Sequence, residues 1–395
     1  MELNTRYQAL APQYLFSDVA RKVARHRAAH PEAAIISLGI GDVTQPLAPA
    51  VVQALEQAAR EMGCADTFHG YGPEQGYPFL RQAILDYYAG RGVSLQLAEV
   101  FVSDGAKSDL GNILDLFSSE NTVFIPDPVY PVYLDTNRMD GREIRFLRAD
   151  ASNGFLPMPP QRAEADIIYL CSPNNPTGAA YNRAQLQQWV DYALDCGAVI
   201  LFDAAYERFI TQPDIPRSIY EIPCAAQCAI EFCSFSKMAG FTGLRCGWTV
   251  VPLQLRASGM SLNEMWLRRQ STKFNGVAYP VQRAAEAALS EEGMQQTGRA
   301  IAVYQQNAQL LHEVLVKAGI YHTGGVNSPY LWMRCPDEMD SWQFFHYLLE
   351  KGGIVGTPGA GFGENGEGYF RLTAFSSPAD TAEAAQRLGK LLGAL

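Results

Sequence analysis

The run Cys228-Ala-Ile-Glu-Phe-Cys233 passes into Ser234-Phe-Ser-Lys237-Met-Ala-Gly-Phe-Thr-Gly-Leu-Arg245-Cys-Gly-Trp248, and the reading of the whole chain turns on this stretch. Six mostly apolar residues predict a buried strand, and the polar loop after them is what that strand delivers. Two hydroxyls and a guanidinium bracket a single lysine. They supply donors for a fixed dianion and an amine able to condense with an aldehyde. Ser-x-Ser-Lys by itself is a common capped turn, so its surroundings decide what it means.

Upstream, short apolar runs at 100–103, 122–125, 143–147, 166–171, 198–202 and 228–233 alternate with helical patterns such as 105–117 and 183–195. Strands that read as continuous apolar runs between helices predict an α/β fold, with a mostly parallel central sheet covered by helices on both faces. Before them, helices are expected at 17–30, 49–61 and 79–90. A short strand at 35–38 leads into Gly39-Ile-Gly41-Asp42, and the glycine-rich loop Gly70-Tyr71-Gly72-Pro73-Glu74-Gln75-Gly76 precedes the third helix. After the lysine, helices at 262–270, 277–289 and 294–318 lead to a compact α+β unit. Its strands are read at 330–334, 353–356 and 369–373, with helices at 341–351 and from Pro378. The expected division is a large domain at 48–290, with a smaller one formed by 1–47 and 291–395 together.

Composition narrows the function. With 395 residues, 48% of them hydrophobic and 18% charged, the chain has material for a large core. A net charge of -10 without any basic run argues against nucleic acid as a partner. No apolar stretch approaches the ~20 residues of a membrane span. The start Met1-Glu-Leu-Asn-Thr-Arg-Tyr7 lacks the charged and apolar regions of a secretory signal, so a cytoplasmic protein is expected. Cys171, Cys233 and Cys246 lie beside or within apolar runs, where a thiol behaves as a small hydrophobe. His26 and His30 stand four apart with no glutamate after His26, and no metal is expected. Gly359-Ala-Gly361-Phe-Gly363 lacks the spacing of a dinucleotide fingerprint.

In a parallel sheet, ligands sit beyond the carboxyl ends of the strands, so the residues just after each run are the ones that matter. They are Ser103-Asp-Gly105-Ala106-Lys107, Asp127-Pro-Val-Tyr130-Pro-Val-Tyr133, Ser172-Pro-Asn-Asn175-Pro-Thr-Gly178, Asp203-Ala-Ala-Tyr206 and Ser234 to Lys237. Singly, each has a bland explanation as a cap, a turn or loop packing. Together they make up the parts of a site for pyridoxal 5'-phosphate (PLP). Asp203 can pair with the pyridine nitrogen, Tyr206 and Asn175 can hydrogen-bond the ring oxygen, and Tyr130 can stack on the ring. Ser234, Ser236, Arg245 and the helix start at Ala106 and Lys107 can hold the phosphate. Arg371, in the C-terminal unit, has the fork that suits a substrate α-carboxylate.

Asn175-Pro-Thr-Gly, Asp203-Ala-Ala-Tyr206 and Ser234-x-Ser-Lys237 ahead of Arg245 resemble the class I/II aminotransferases of the fold-type I PLP enzymes. The chain is most similar to their LL-diaminopimelate aminotransferase branch, and the likeness runs end to end. It is carried also by Leu38-Gly-Ile-Gly41-Asp-Val-Thr-Gln-Pro46, Gly70 to Gly76, Thr272-Lys-Phe-Asn275-Gly and Pro358-Gly-Ala-Gly-Phe-Gly363. The resemblance implies that Lys237 carries the cofactor and, with Asp203 and Tyr206, does the chemistry, and that Arg371 grips the α-carboxylate. It implies a homodimer whose sites are completed by Tyr14, Tyr71, Glu74 and Asn275 of the neighbouring chain, Tyr71 toward the cofactor. Glu74 would meet a distal ammonium and Lys107 a distal carboxylate. Gly41, Tyr130 and Asn175 would also face the substrate. The implied reaction is amino transfer between LL-diaminopimelate and 2-oxoglutarate, giving glutamate, in lysine and cell-wall precursor synthesis. The competing readings are an aminotransferase of aspartate or aromatic specificity, a PLP-dependent β-lyase, and a PLP-binding regulator. The last is disfavoured by an intact Lys237 and the lack of a spare DNA-binding segment.

Overall fold

Ile167–Cys171 and Val199–Asp203 are buried along their whole length, as parallel strands covered on both faces must be. A computed structural model of the chain describes residues 1–10, 15–161 and 164–394. Seven strands form the main sheet: β1 (Val100–Ser103), β2 (Thr122–Asp127), β3 (Glu143–Arg148), β4 (Ile167–Cys171), β5 (Val199–Asp203), β6 (Ala229–Ser234) and β7 (Gly247–Val250). Their spatial order is β1-β7-β6-β5-β4-β2-β3. β2 to β6 run parallel, and β7 is antiparallel to both β6 and β1. The carboxyl ends of β1, β2, β4, β5 and β6 therefore open on one edge of the sheet. The expected α/β fold with a mostly parallel, helix-covered sheet is the one observed.

Several elements differ from the sequence reading, and the strands His322–Gly324 and Thr357–Pro358 were not foreseen. β7 was taken as the end of a loop, because Gly-Trp-Thr-Val is too short to show a period of its own. It is held by pairing Trp248 against Cys233 on one side and Val102 on the other. The helix Pro131–Asp140 was not foreseen, although Pro131 opens it and Gly141, at φ 77°, closes it in the left-handed region. The helix expected over 105–117 is α-helical only at Ala106–Asn112 and then tightens into a 3₁₀ turn, Ile113–Leu116. The one expected over 341–351 is α-helical at Ser341–Tyr347 and widens into a π turn, Leu348–Gly352.

A second sheet comprises β8 (His322–Gly324), β9 (Tyr330–Arg334), β10 (Thr357–Pro358) and β11 (Tyr369–Thr373) in the antiparallel order β8-β9-β11-β10. Its apolar residues share one cluster with the helices Glu291–Lys317 and Pro378–Leu392. Leu15, Val19, Ile36 and Leu38 from the chain's beginning belong to the same cluster. Ile36–Ser37 also pairs in parallel with Ile354–Val355, so the two ends of the chain are joined by backbone hydrogen bonds.

The two sheets meet where the loop after β4 touches the start of β9. Gly178 has φ +67°, and a Cβ there would lie 2.6 Å from both Gly324 Cα and Tyr330 O. Gly154 has a similar φ of +61° but nothing within 4 Å of its added Cβ. Gly154→Ala should therefore cost only the backbone strain, about 1 kcal/mol. Gly178→Ala adds overpacking and should cost about 2–4 kcal/mol. Denaturant unfolding of the two variants checks this, and equal losses would show that the close approach carries no energy.

Candidate active site

Ser234 ends β6, and its hydroxyl accepts the Ser236 N–H at 3.1 Å, capping the single helical turn Phe235–Met238. That turn carries Lys237, whose amine donates to the Gly41 carbonyl. Burial is the main reason the amine is pushed down to about 8, with Asp42 opposing the shift and Arg371 and Arg245 adding to it. Arg245 donates to Ser236 Oγ at 3.2 Å. Gly105, at φ +133°, starts the helix Ala106–Asn112, and a Cβ there would lie 2.5 Å from the Arg245 guanidinium. Two hydroxyls, a guanidinium and the start of a helix thus converge on one spot, as an anion requires.

Asp203 ends β5. Its carboxylate accepts the Tyr133 hydroxyl at 2.5 Å and the Ala205 N–H at 3.0 Å. Burial raises the Asp203 carboxyl, and these two hydrogen bonds oppose the rise. Tyr133 is held in turn by stacking on Tyr169 at 4.8 Å between ring centroids. The sequence reading quoted Tyr133 but gave it no role. Its signal was the three-residue spacing from Tyr130, which puts both tyrosines at the start of one helix, Pro131–Asp140.

Arg371 lies on β11 and is 1% exposed. It donates to Asn175 Oδ1 at 2.7 Å, to the Gly39 carbonyl at 2.7 Å and to Thr357 Oγ1 at 3.3 Å. The rings of Tyr330 and Phe362 face its guanidinium at 4.7 and 4.9 Å. Tyr330, which the sequence reading placed only in a strand, has its hydroxyl 2.6 Å from that of Tyr206.

A cleft of ≈ 680 Å³ is lined by Ala106, Lys107, Tyr130, Asn175, Asp203, Tyr206, Ser234, Ser236, Lys237 and Arg245. These ten were all named from the sequence; Leu110, Tyr133, Ala205 and Thr242 also line the cleft and were given no role. Gly41 and Arg371 adjoin them through Lys237 and Asn175. Tyr71, Glu74 and Asn275 do not line the cleft of their own chain, and Tyr71 is 91% exposed. Gly276, next to Asn275, packs on the loop of Glu74, where a Cβ at Gly276 would lie 3.1 Å from the Pro73 carbonyl. Tyr14 lies outside the described residues.

Residues 33–388 match the family model for aminotransferase class I and II. The chain belongs to that family. It is 53% identical over 403 aligned residues to LL-diaminopimelate aminotransferase of Lachnospira eligens, covering 99% of this chain and 100% of that one. The structure superposes on the L,L-diaminopimelate aminotransferase of Chlamydomonas reinhardtii with a TM-score of 0.94 and 41% identity, covering 99% and 98% of the two chains. Thermus thermophilus aspartate aminotransferase, at 22% identity and a TM-score of 0.87, shares the fold. Class I and II aminotransferases depend on PLP, and this cleft fits such a group. It offers a cradle for a dianion, a buried carboxylate, and an amine with a depressed pKa.

Two outcomes follow from these environments. With a pKa of about 8, about a tenth of the Lys237 amines are neutral at pH 7, against fewer than about one in a thousand for an ordinary lysine. Acylation of the cofactor-free protein, followed site by site by mass spectrometry, should label Lys237 with a pH midpoint near 8; a midpoint above 10 would contradict the buried environment. Tyr133→Phe removes the donor that stabilises a buried carboxylate and should cost about 1.5–3 kcal/mol at neutral pH. Asp203 is already raised by burial and rises further in the variant. The loss is therefore full above the folded-state pKa and shrinks as the pH falls and the carboxyl takes up its proton. Unfolding of both proteins at neutral and acidic pH measures this.

Proposed function

We propose that the chain is an LL-2,6-diaminopimelate:2-oxoglutarate aminotransferase that works with bound PLP. The observation that carries this reading is the end-to-end likeness to LL-diaminopimelate aminotransferases, taken with a cleft that brings Lys237, Asp203 and Arg371 into one connected site. One amino group passes from LL-diaminopimelate to 2-oxoglutarate. The products are glutamate and a keto acid that closes on its remaining amine, losing water to give tetrahydrodipicolinate.

When bound, PLP draws electrons from the substrate's α-carbon and so makes its proton removable. The chain's residues do the rest. Ser234, Ser236, Arg245 and the N–H groups at Ala106 and Lys107 would hold the phosphate. Asp203 would pair with the ring nitrogen as a carboxylate, Tyr206 and Asn175 would donate to the ring oxygen, and Tyr130 would cover the ring face. Lys237 holds the cofactor and, with its lowered pKa, takes a proton from the α-carbon and returns it. Arg371 binds the α-carboxylate with its fork already aimed by Asn175, Gly39 and Thr357, so little order is lost on binding.

The reading extends to a cytoplasmic homodimer with a large domain at 48–290 and a small one formed by 1–47 and 291–395. The exposed Tyr71 and the adjoining loops of Glu74 and Asn275 support a shared site, because none of the three serves the cleft of its own chain. In that arrangement Tyr14, Tyr71, Glu74 and Asn275 come from the neighbour. Glu74 meets the distal ammonium of diaminopimelate, while Lys107 meets its distal carboxylate.

Diaminopimelate differs from glutamate by that distal ammonium, so an acid that pairs it should discriminate between them. The purified holoenzyme should convert LL-diaminopimelate and 2-oxoglutarate to glutamate, with aspartate and aromatic amino acids as weaker donors. Glu74→Gln should lower kcat/KM for LL-diaminopimelate about tenfold to a hundredfold, the effect of about 1.5–3 kcal/mol from a lost charged hydrogen bond, while the glutamate half-reaction changes little. Equal losses for both amino acids would mean that Glu74 supports the loop or the dimer. A preference for aspartate would overturn the substrate assignment.

A further inference from the structure

Tyr206 and Tyr330 are both buried, and their hydroxyl oxygens lie 2.6 Å apart, the distance of a short O–H···O bond. Among the described residues neither hydroxyl has a second hydrogen-bond partner. One phenol must donate and the other accept, and burial decides which. Tyr330 is 1% exposed and does not line the cleft. If Tyr206 donated to it, the Tyr330 proton would be left without an acceptor, at a cost of about 1–3 kcal/mol. If Tyr330 donates, the Tyr206 proton is left facing the cleft, where Tyr206 is part of the lining and a ligand or water can accept it.

A further feature favours that direction. The Arg371 guanidinium stands 4.7 Å from the Tyr330 ring and partly offsets the effect of burial on its phenol, whereas the hydroxyl of Tyr206 is raised well above its usual value. Tyr330 is therefore the stronger acid of the two. Gly41 leaves room for the arrangement, since a Cβ there would lie 2.6 Å from the Tyr330 hydroxyl.

We propose that Tyr330 is a positioning residue, which donates its phenolic proton to Tyr206 and so commits the Tyr206 hydroxyl to act as a hydrogen-bond donor into the cleft. The relay rests on the reading of Tyr206 as the donor to the PLP ring oxygen. A phenol that accepts one hydrogen bond becomes a better donor of the next. Tyr330, at the start of β9, thereby ties the hydrogen bond at the end of β5 to the second sheet.

The test is a pH titration of the visible absorbance of bound PLP in the holoenzyme, with the PLP dissociation constant measured alongside. A bond donated to the ring oxygen favours its ionised form, so removing the donor raises the midpoint. Tyr206→Phe should raise it most. Tyr330→Phe keeps the ring over Arg371 and should leave the thermal midpoint close to wild type. It should still raise the absorbance midpoint by about 0.3–1 unit, roughly a twofold to tenfold change in proton affinity, with PLP binding weakened by a similar factor. The double variant should titrate like Tyr206→Phe, because the relay has only one outlet. An unchanged midpoint in Tyr330→Phe beside a shifted one in Tyr206→Phe would overturn the proposal and leave the placement of Tyr206 standing, as would strictly additive shifts in the double variant. An unchanged midpoint in Tyr206→Phe would overturn the placement of Tyr206 itself, and the relay with it.

Discussion

A guanidinium with 1% of its surface exposed cannot shed its charge, so the chain must supply acceptors for it wherever they can be found. For Arg371 they come from three separate parts of the chain: Asn175 after β4, the Gly39 carbonyl near the beginning, and Thr357 on β10. A hydrogen bond to a charged group is worth about 1.5–3 kcal/mol, so these contacts constrain one another strongly. The loop after β4, the glycine-rich segment and the second sheet are held together by one side chain. The same guanidinium lies under Tyr330, and the carbonyl of Gly41, two residues beyond Gly39, receives the Lys237 amine.

Around this anchor the site is biased electrostatically in two directions. Burial pushes Lys237 down toward the neutral amine and Asp203 up toward the neutral acid. Each shift favours the less charged form, and each is moderated by a named neighbour, Asp42 for the lysine and Tyr133 for the aspartate. A ligand that brings negative charge to Arg245 and a protonated ring nitrogen to Asp203 supplies the counter-charges this cleft lacks by itself.

The strand that carries the lysine is braced from behind. Glu231, on β6, is wholly buried and accepts from the Tyr88 hydroxyl at 2.5 Å, the Ser218 hydroxyl at 2.8 Å and the Ile219 N–H at 2.7 Å. Its carboxyl is pushed up to about 7 by burial, against these three bonds. Tyr88 also accepts from the Trp248 indole on β7 at 3.1 Å, linking the helix Pro78–Ala89 to two adjacent strands. A fully bonded polar network of this kind costs little and fixes the register of β6, and with it the height of Lys237 in the cleft.

Local chemistry determined a good deal of this protein without reference to its fold. The apolar runs between helices made the parallel strands legible, because burial on both faces leaves little room for polar residues. Lys237, Asp203 and Asn175 were legible because each follows such a run, where a parallel sheet exposes its ligand-binding edge, and Arg245 because with two hydroxyls it brackets the lysine. The family resemblance added Glu74 and Asn275, which no period or spacing marks, and gave Gly41 its role toward the substrate. Tertiary structure decided the rest. β7 is a strand because two neighbours pair with it, while its own four residues are too few to declare it. Tyr133 and Tyr330 act on Asp203 and Tyr206 across 70 and 124 residues of chain, and a hydrogen bond between residues so far apart leaves no trace in local pattern. Sequence determines which groups stand at the strand ends; only packing brings a second phenol within 2.6 Å of the first and so sets where its proton points.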